Sequence, residues 1–164
     1  ATWGNLANRV LTFCHKHWEG SAPNIDPAAI RRADLDLLAG IEGGFQTVGG
    51  LLDSVKIRAA LQEAFRLAST VNQYLDQMAP WQAIKTDRDS AALTIYTALK
   101  AIDSLKVMFA PFLPFTCEKL NGFFGYESLL FGEPYCETVT DALGEHTVLR
   151  YRVGQISNLS YRDA

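Results

Sequence analysis

The sequence predicts an all-α fold: an up-down bundle of about five helices with an irregular C-terminal tail. Apolar residues recur at helical spacing through most of residues 1–124. Start and stop signals cut that pattern into segments of ordinary helix length. From Gly125 onward the character changes, because glycines and turn residues recur there. The expected division is a helical bundle over 1–124 and a tail over 125–164 packed on it. Within the tail, residues 146–152 (HTVLRYR) alternate as a short strand does.

The first helix is expected from about Trp3 to Trp18, with Leu6, Val10, Phe13 and His17 as its inward stripe. Glu19-Gly20-Ser21-Ala22-Pro23 ends it. Asp26-Pro27 reads as a helix start, with an acid at the cap and proline in the first turn. The next pattern is Leu35, Leu38, Ile41, Phe45, Val48 and Leu52. It contains Gly43, Gly44, Gly49 and Gly50, each costing roughly 1 kcal/mol relative to alanine. Such glycines imply either close packing or a break near Gly49. A third helix runs from about Ser54 to Met78, with Ile57, Leu61, Phe65, Ala68, Val71 and Leu75 inward, and Pro80 closes it. After the loop at 86–90, a fourth helix carries Leu93, Tyr96, Leu99, Ile102 and Leu105 to about Ala110. Pro111 and Pro114 precede a short fifth helix from Phe115 to Phe124.

A chain of 164 residues fits one domain with a sizeable core. Hydrophobic residues make up 48% and charged residues 20%, and mean hydropathy is zero, which is globular and neither disordered nor fibrous. No apolar run approaches the ~20 residues of a membrane span, and no secretory leader pattern is present. We therefore expect a cytoplasmic protein with no membrane partner. Cys14, Cys117 and Cys136 are odd in number and widely spaced, which suits free thiols in a reducing compartment. The sequence starts without methionine, and Ala1-Thr2 lead straight into helical pattern. It is expected to be a piece of a longer polypeptide whose missing part lies N-terminal.

Asn5 and Arg9 stand four residues apart in NLANR, so on a helix they share a face. Ala79-Pro80-Trp81 lies at the expected junction between the third helix and the following loop. An amide, a fork of donors and a flat ring suit an unpaired nucleobase: the first two bind its edge, and the third stacks on its face. The net charge of −3 and pI near 5.6 are unhelpful for such a role. The local balance differs. Arg9 and Lys16 stand against Glu19, and Lys85 and Arg88 against Asp87, so both segments are slightly positive.

The same residues carry a family resemblance. Residues 4–20, GNLANRVLTFCHKHWEG, resemble the first helix of the anticodon-binding domain of methionyl-tRNA synthetases. NQYLDQMAPWQAIK at 72–85 is similar to that family's N-x-Y-x-D-x-x-A-P-W motif. FAPFLPFTCEKL at 109–120 is similar to its final helix pair. The resemblance covers almost the whole chain in the right order. It implies that Asn5 and Arg9 read the edge of the first anticodon base, a cytosine, and that Trp81 stacks on or abuts the anticodon. Cytosine's pairing edge offers acceptors and a donor amine; Arg donates and Asn does both. Asn8, Asn72 and Asp76 would support this site, with Asn72 bonding between helices and Asp76 pairing with a base or a backbone donor. Lys16, Lys85 and Arg88 would contact phosphate. The partners implied are the CAU anticodon loop of tRNA(Met) and a catalytic domain on the same chain. That parent would be an ATP-dependent methionine–tRNA ligase using ATP and Mg, while this piece would be inactive alone and hold no cofactor. Motifs resembling HIGH and KMSKS, which carry the nucleotide chemistry of class I synthetases, do not occur here.

Plainer readings compete at each position. A helix arginine is ordinarily solvated, and a tryptophan after proline is often a plug at a bundle's end. Cys14 and His17 stand at i and i+3, but no further Cys or His cluster supplies a third and fourth metal ligand. No cysteine has a base and orienter placed beside it by motif. The same kind of domain from an isoleucine or valine enzyme is the nearest alternative. A helical protein-interaction module using Trp3, Trp18 and Trp81 as anchors is the alternative from a different class.

Overall fold

The structure is a computed structural model, and it describes residues 2–127, 129–130, 133–142 and 144–152. Helices α1 (Thr2–Trp18), α2 (Arg32–Asp53), α3 (Ile57–Met78), α5 (Arg88–Phe109) and α6 (Pro114–Phe123) form the bundle. A single helical turn, α4 (Pro80–Ala83), links α3 to α5. Helix α5 is the axis of the bundle, packing on α1, α2, α3, α4 and α6. Fifteen of its 22 residues are buried, so it reads as apolar nearly all round. The three residues between α2 and α3 make that pair an antiparallel hairpin of helices.

Several helix starts sit where cap chemistry puts them. The Asp87 carboxylate accepts from the Ser90 N–H at 3.0 Å and opens α5. The Asp26 carboxylate accepts from Ala28 N–H at 2.9 Å, but it opens only a three-residue 3₁₀ turn over Pro27–Ala29. The second helix starts later, at Arg32, because Asp34 turns back to accept from the Arg31 N–H at 3.0 Å.

The buried faces differ from the expected stripes in an informative way. In α2 the inward residues are Asp34, Ile41, Gly44 and Val48, while Leu35 and Phe45 are exposed. In the first half of α3 the buried residues are Ala60, Ala64 and Leu67, while Ile57 is half exposed and Phe65 lies toward the surface. Gly44 is the α2 glycine that meets α3, at Leu67, while Leu35 and Phe45 are turned outward. A Cβ added at Gly44 would run into Leu67 Cδ1 and come within 3.0 Å of Met108 Cε. Gly49 does not break the helix, which continues to Asp53. Close packing therefore accounts for Gly44. On α1 the inward set is Trp3, Leu6, Ala7, Val10 and Cys14, with Phe13 and His17 at its margin. Trp3 stacks on Phe109 at 4.7 Å between ring centres.

Beyond α6 the chain is held to the bundle by a buried polar cluster. Lys106 Nζ donates to Asp103 Oδ1 and Asn121 Oδ1, each at 2.7 Å, and lies 4.2 Å from the centre of the Tyr126 ring. The Tyr126 hydroxyl donates to Asp103 Oδ2 at 2.8 Å. The C-terminal segment then forms an antiparallel hairpin of β1 (Glu133–Asp141) and β2 (Gly144–Arg152), in register from Glu133↔Arg152 to Asp141↔Gly144. The alternation at 146–152 marked the second strand. Its partner was unmarked, since a proline at 134 and a run of mixed polarity obscure the period of two. Gly144 has φ of +91°, a conformation that favours glycine at the hairpin's turn.

Two adjacent glycines give the fold a direct test. Nothing lies within 4 Å of a Cβ at Gly43, so Gly43→Ala should stabilise by about 0.5–1 kcal/mol through helix propensity alone. Gly44→Ala should instead destabilise by about 1–3 kcal/mol through overpacking against Leu67 and Met108. Urea unfolding of both variants checks the pair, with opposite shifts in midpoint expected.

Candidate nucleic-acid interface

Trp81 is set in place by the local backbone. Helix α3 ends at Ala79, whose φ of 43° and ψ of 56° lie in the left-handed region, with its N–H donating to Leu75 O at 2.9 Å. Pro80 cannot continue α3, but it suits the first position of α4, where it is buried. The reversal carries Trp81 onto α1. Its ring meets Phe13 edge-to-face at 5.4 Å and 84°, leaving the indole half-buried.

Arg9 completes the contact from the other helix. Its guanidinium carbon lies 4.0 Å from the centre of the Trp81 ring, and its Nη2 donates to Asp76 Oδ1 at 3.2 Å. The Arg9 side chain is 42% exposed and that of Asp76 is 68% exposed. Both holds are therefore weak: about 0.5–1 kcal/mol for the cation–π contact and 0–1 kcal/mol for the ion pair. In front of the pair is a shallow depression of about 350 Å³, lined by Asn8, Arg9, Thr12, Phe13, Lys16 and Trp81.

Asn5 does not line this depression. It stands one helical turn before Arg9, exposed, on the polar stripe that also carries Asn8, Thr12 and Lys16. Asn8 and Lys16 do line it. Asp76 pairs with the Arg9 side chain rather than with a backbone donor. The Asn72 amide donates within its own helix, to Ala68 O at 3.4 Å, and not between helices. Lys85 is exposed just beyond α4. Arg88 reaches back to α1, donating to His17 O at 2.6 Å with its guanidinium 5.3 Å from the centre of the Trp18 ring. Two residues of the depression, Thr12 and Phe13, were absent from the expected set. Thr12 was legible as the i+3 neighbour of Arg9, whereas Phe13 read as core.

Behind the interface lies a buried polar junction. Asp34, with no solvent exposure, accepts from the Tyr74 hydroxyl at 2.6 Å and from Arg31 Nη2 at 2.9 Å and Nε at 3.0 Å. Arg31 also donates to Thr94 Oγ1 at 2.8 Å and to Ser90 Oγ at 3.0 Å. Burial alone would raise the Asp34 carboxyl, but hydrogen bonds from Arg31 and Tyr74 and the Arg31 charge outweigh it and hold the group below its ordinary 3.8. Burial, then the facing Asp34 carboxylate, pushes the Tyr74 phenol well up. The Cys14 thiol is pushed up to about 11 by burial and donates to Ser21 O at 2.8 Å, so it is a structural thiol.

A sequence profile described as "Anticodon binding domain of methionyl tRNA ligase" matches residues 26–148. This chain belongs to that family. Curated relatives agree. A methionine–tRNA ligase of Thermomicrobium roseum is 49% identical over 152 residues, which are 93% of this chain and 26% of that protein. One of Chloroflexus aurantiacus is 45% identical over 91% of this chain and 24% of that protein. Among solved structures, Mycobacterium tuberculosis methionyl-tRNA synthetase bound by methionyl-adenylate superposes with a TM-score of 0.72 at 25% identity, over 77% of this chain and 25% of that one. The chain thus spans about a quarter of the length of the relatives it matches. The profile match takes in the α3 end and Trp81 of this anticodon-binding domain, while Asn5 and Arg9 lie before it.

Two outcomes follow from this geometry. Ala79→Gly relieves a left-handed alanine, so it should raise stability by up to about 1 kcal/mol in thermal melts. Asp34→Asn should cost about 1–3 kcal/mol at pH 7, measured by urea unfolding. Because the folded pKa of Asp34 lies below the unfolded value, its contribution is complete above pH 3.8 and is lost as pH falls through the folded value. Below about pH 4 the Asp34→Asn variant should therefore lose stability less steeply than the parent.

Proposed function

We propose that the α1–α4 face binds an unpaired nucleobase of the tRNA(Met) anticodon loop, with CAU the sequence preferred. The observation that carries this reading is the weakly held Arg9–Trp81–Asp76 group at the edge of an open depression. The base takes Arg9's place on the Trp81 face. Arg9 turns its fork to the base edge, and the Asn5–Asn8 side of the polar stripe supplies amide groups that donate and accept. Releasing Arg9 from two exposed contacts costs no more than about 2 kcal/mol, which base stacking at about 1–3 kcal/mol per base offsets. Lys16, inside the depression, and Lys85, outside it, offer charge to the phosphates.

Residues 1–124 would be the binding unit, and 125–164 would return the chain toward the remainder of the polypeptide. That remainder would activate methionine with ATP and Mg and charge the tRNA in the cytoplasm. Among the described residues no helix is long and apolar enough to cross a membrane.

Titration with an anticodon stem-loop tests the reading. Changing CAU to UAU should weaken binding by about 1–3 kcal/mol if the scale of base readout applies. Equal affinities for the two loops would falsify the assignment. Arg9→Ala should abolish the discrimination while changing the unfolding free energy by less than about 1 kcal/mol. Arg9→Lys should restore little, because a lysine has neither the planar fork nor the stacking surface. Lys16→Ala should weaken all sequences alike and reduce the salt slope by about 1.

A further inference from the structure

The Arg9–Trp81 pair has a counterpart at the other end of the same aromatic row. Phe13 touches both tryptophans: Trp81 at 5.4 Å and Trp18 at 6.0 Å between ring centres. His17 fills the corner, 4.4 Å from Phe13 and 6.1 Å from Trp18. Arg88 lies 5.3 Å from the Trp18 ring centre, as Arg9 lies over Trp81. Each end of the row has its own hollow. The one at Trp18 has a volume of about 400 Å³, and Glu19, Asn24 and Asp89 stand on its rim with Arg88 and His17. Trp18 is half-buried and Arg88 exposed. Its bond to His17 O uses one of the five donors of the Arg88 guanidinium.

We propose that Trp18 and Arg88 form a second nucleobase platform, which takes a further unpaired nucleotide of the RNA loop whose base sits on Trp81. This rests on the base-binding reading above and extends it to a second subsite. The chemistry of the rim narrows the ligand. The Glu19 and Asp89 carboxylates repel a bare phosphate but accept from an exocyclic amine, so the platform suits adenine, cytosine or guanine over uracil. Phe13 makes the two platforms one row. Two nucleotides of one strand would then each have an aromatic face, on tryptophans that share Phe13 as an edge-on neighbour, and such stacking is how single strands are held without pairing.

The test uses the full-length polypeptide, the CAU stem-loop, and the same loop made abasic at each nucleotide in turn. Trp18→Ala should weaken binding about fivefold or more, and Trp18→Phe should retain most of the affinity. One abasic position should weaken the parent but leave Trp18→Ala unchanged, and it should differ from the position that Trp81→Ala makes silent. At that position, uracil in place of an amino-bearing base should weaken the parent more than it weakens Asp89→Asn. If Trp18→Ala binds as the parent does, while Trp81→Ala and the UAU loop remain weak, the second platform is wrong and the first stands. If Trp18→Ala weakens every abasic loop alike and melts earlier, Trp18 is a packing wedge and the proposal falls. If neither Trp81→Ala nor the UAU loop weakens binding, both readings fall together.

Discussion

Asp34 is a carboxylate with no access to water, and three helices meet at it. It caps the start of α2, accepts the Tyr74 hydroxyl of α3, and holds Arg31, which in turn bonds Ser90 and Thr94 of α5. A buried charge of this kind is tolerable only when every lone pair is used, and here four donor groups converge on it. The arrangement therefore fixes the relative axial position of the helices as well as their contact. Apolar packing could slide by a fraction of a turn, whereas a satisfied ionic junction could not. Tyr74 lies two residues before Asp76 and five before Ala79, so the junction sets the height at which α3 ends.

The interface inherits its geometry from that ending. A left-handed Ala79 and a buried Pro80 convert the end of α3 into a corner, and the corner carries Trp81 against α1. The rigid parts of the site are thus backbone and core. The parts that the proposed binding would move, Arg9 and Asp76, are exposed and loosely held. This partition suits recognition of a flexible loop. Ordering costs are met in advance by the scaffold, and only short side-chain movements remain at the moment of contact.

A net charge of −3 is compatible with this role because affinity for RNA depends on local potential. Arg9 and Lys16 line one hollow and Arg88 the other. Such a surface would supply modest electrostatic attraction, so in the proposed complex stacking and edge contacts would account for more of the affinity. Discrimination between bases gains from that balance, since phosphate contacts bind every sequence alike.

Periodicity and cap chemistry determined the helical class, the number of long helices and most of their ends, because these depend on local rules. The NLANR and APW segments pointed to Arg9 and Trp81 for a similar reason: helical spacing and a proline stop are written in adjacent residues. Which face of α2 turns inward was decided in three dimensions. Leu35 and Phe45 fit the apolar period, yet the helix is rotated so that Ile41, Gly44 and Val48 turn inward, with Gly44 close against Leu67 and Met108. The pairing of Arg9 with Asp76, 67 residues apart, and of Asp34 with Tyr74, 40 apart, carries no local signal. The first strand of the hairpin was likewise hidden until its partner stood beside it. Sequence by itself determined which residues could be helical and named the candidates for meeting a base. Tertiary structure decided which of them touch, because contact depends on helix height and rotation, and those are set by packing and by one buried carboxylate.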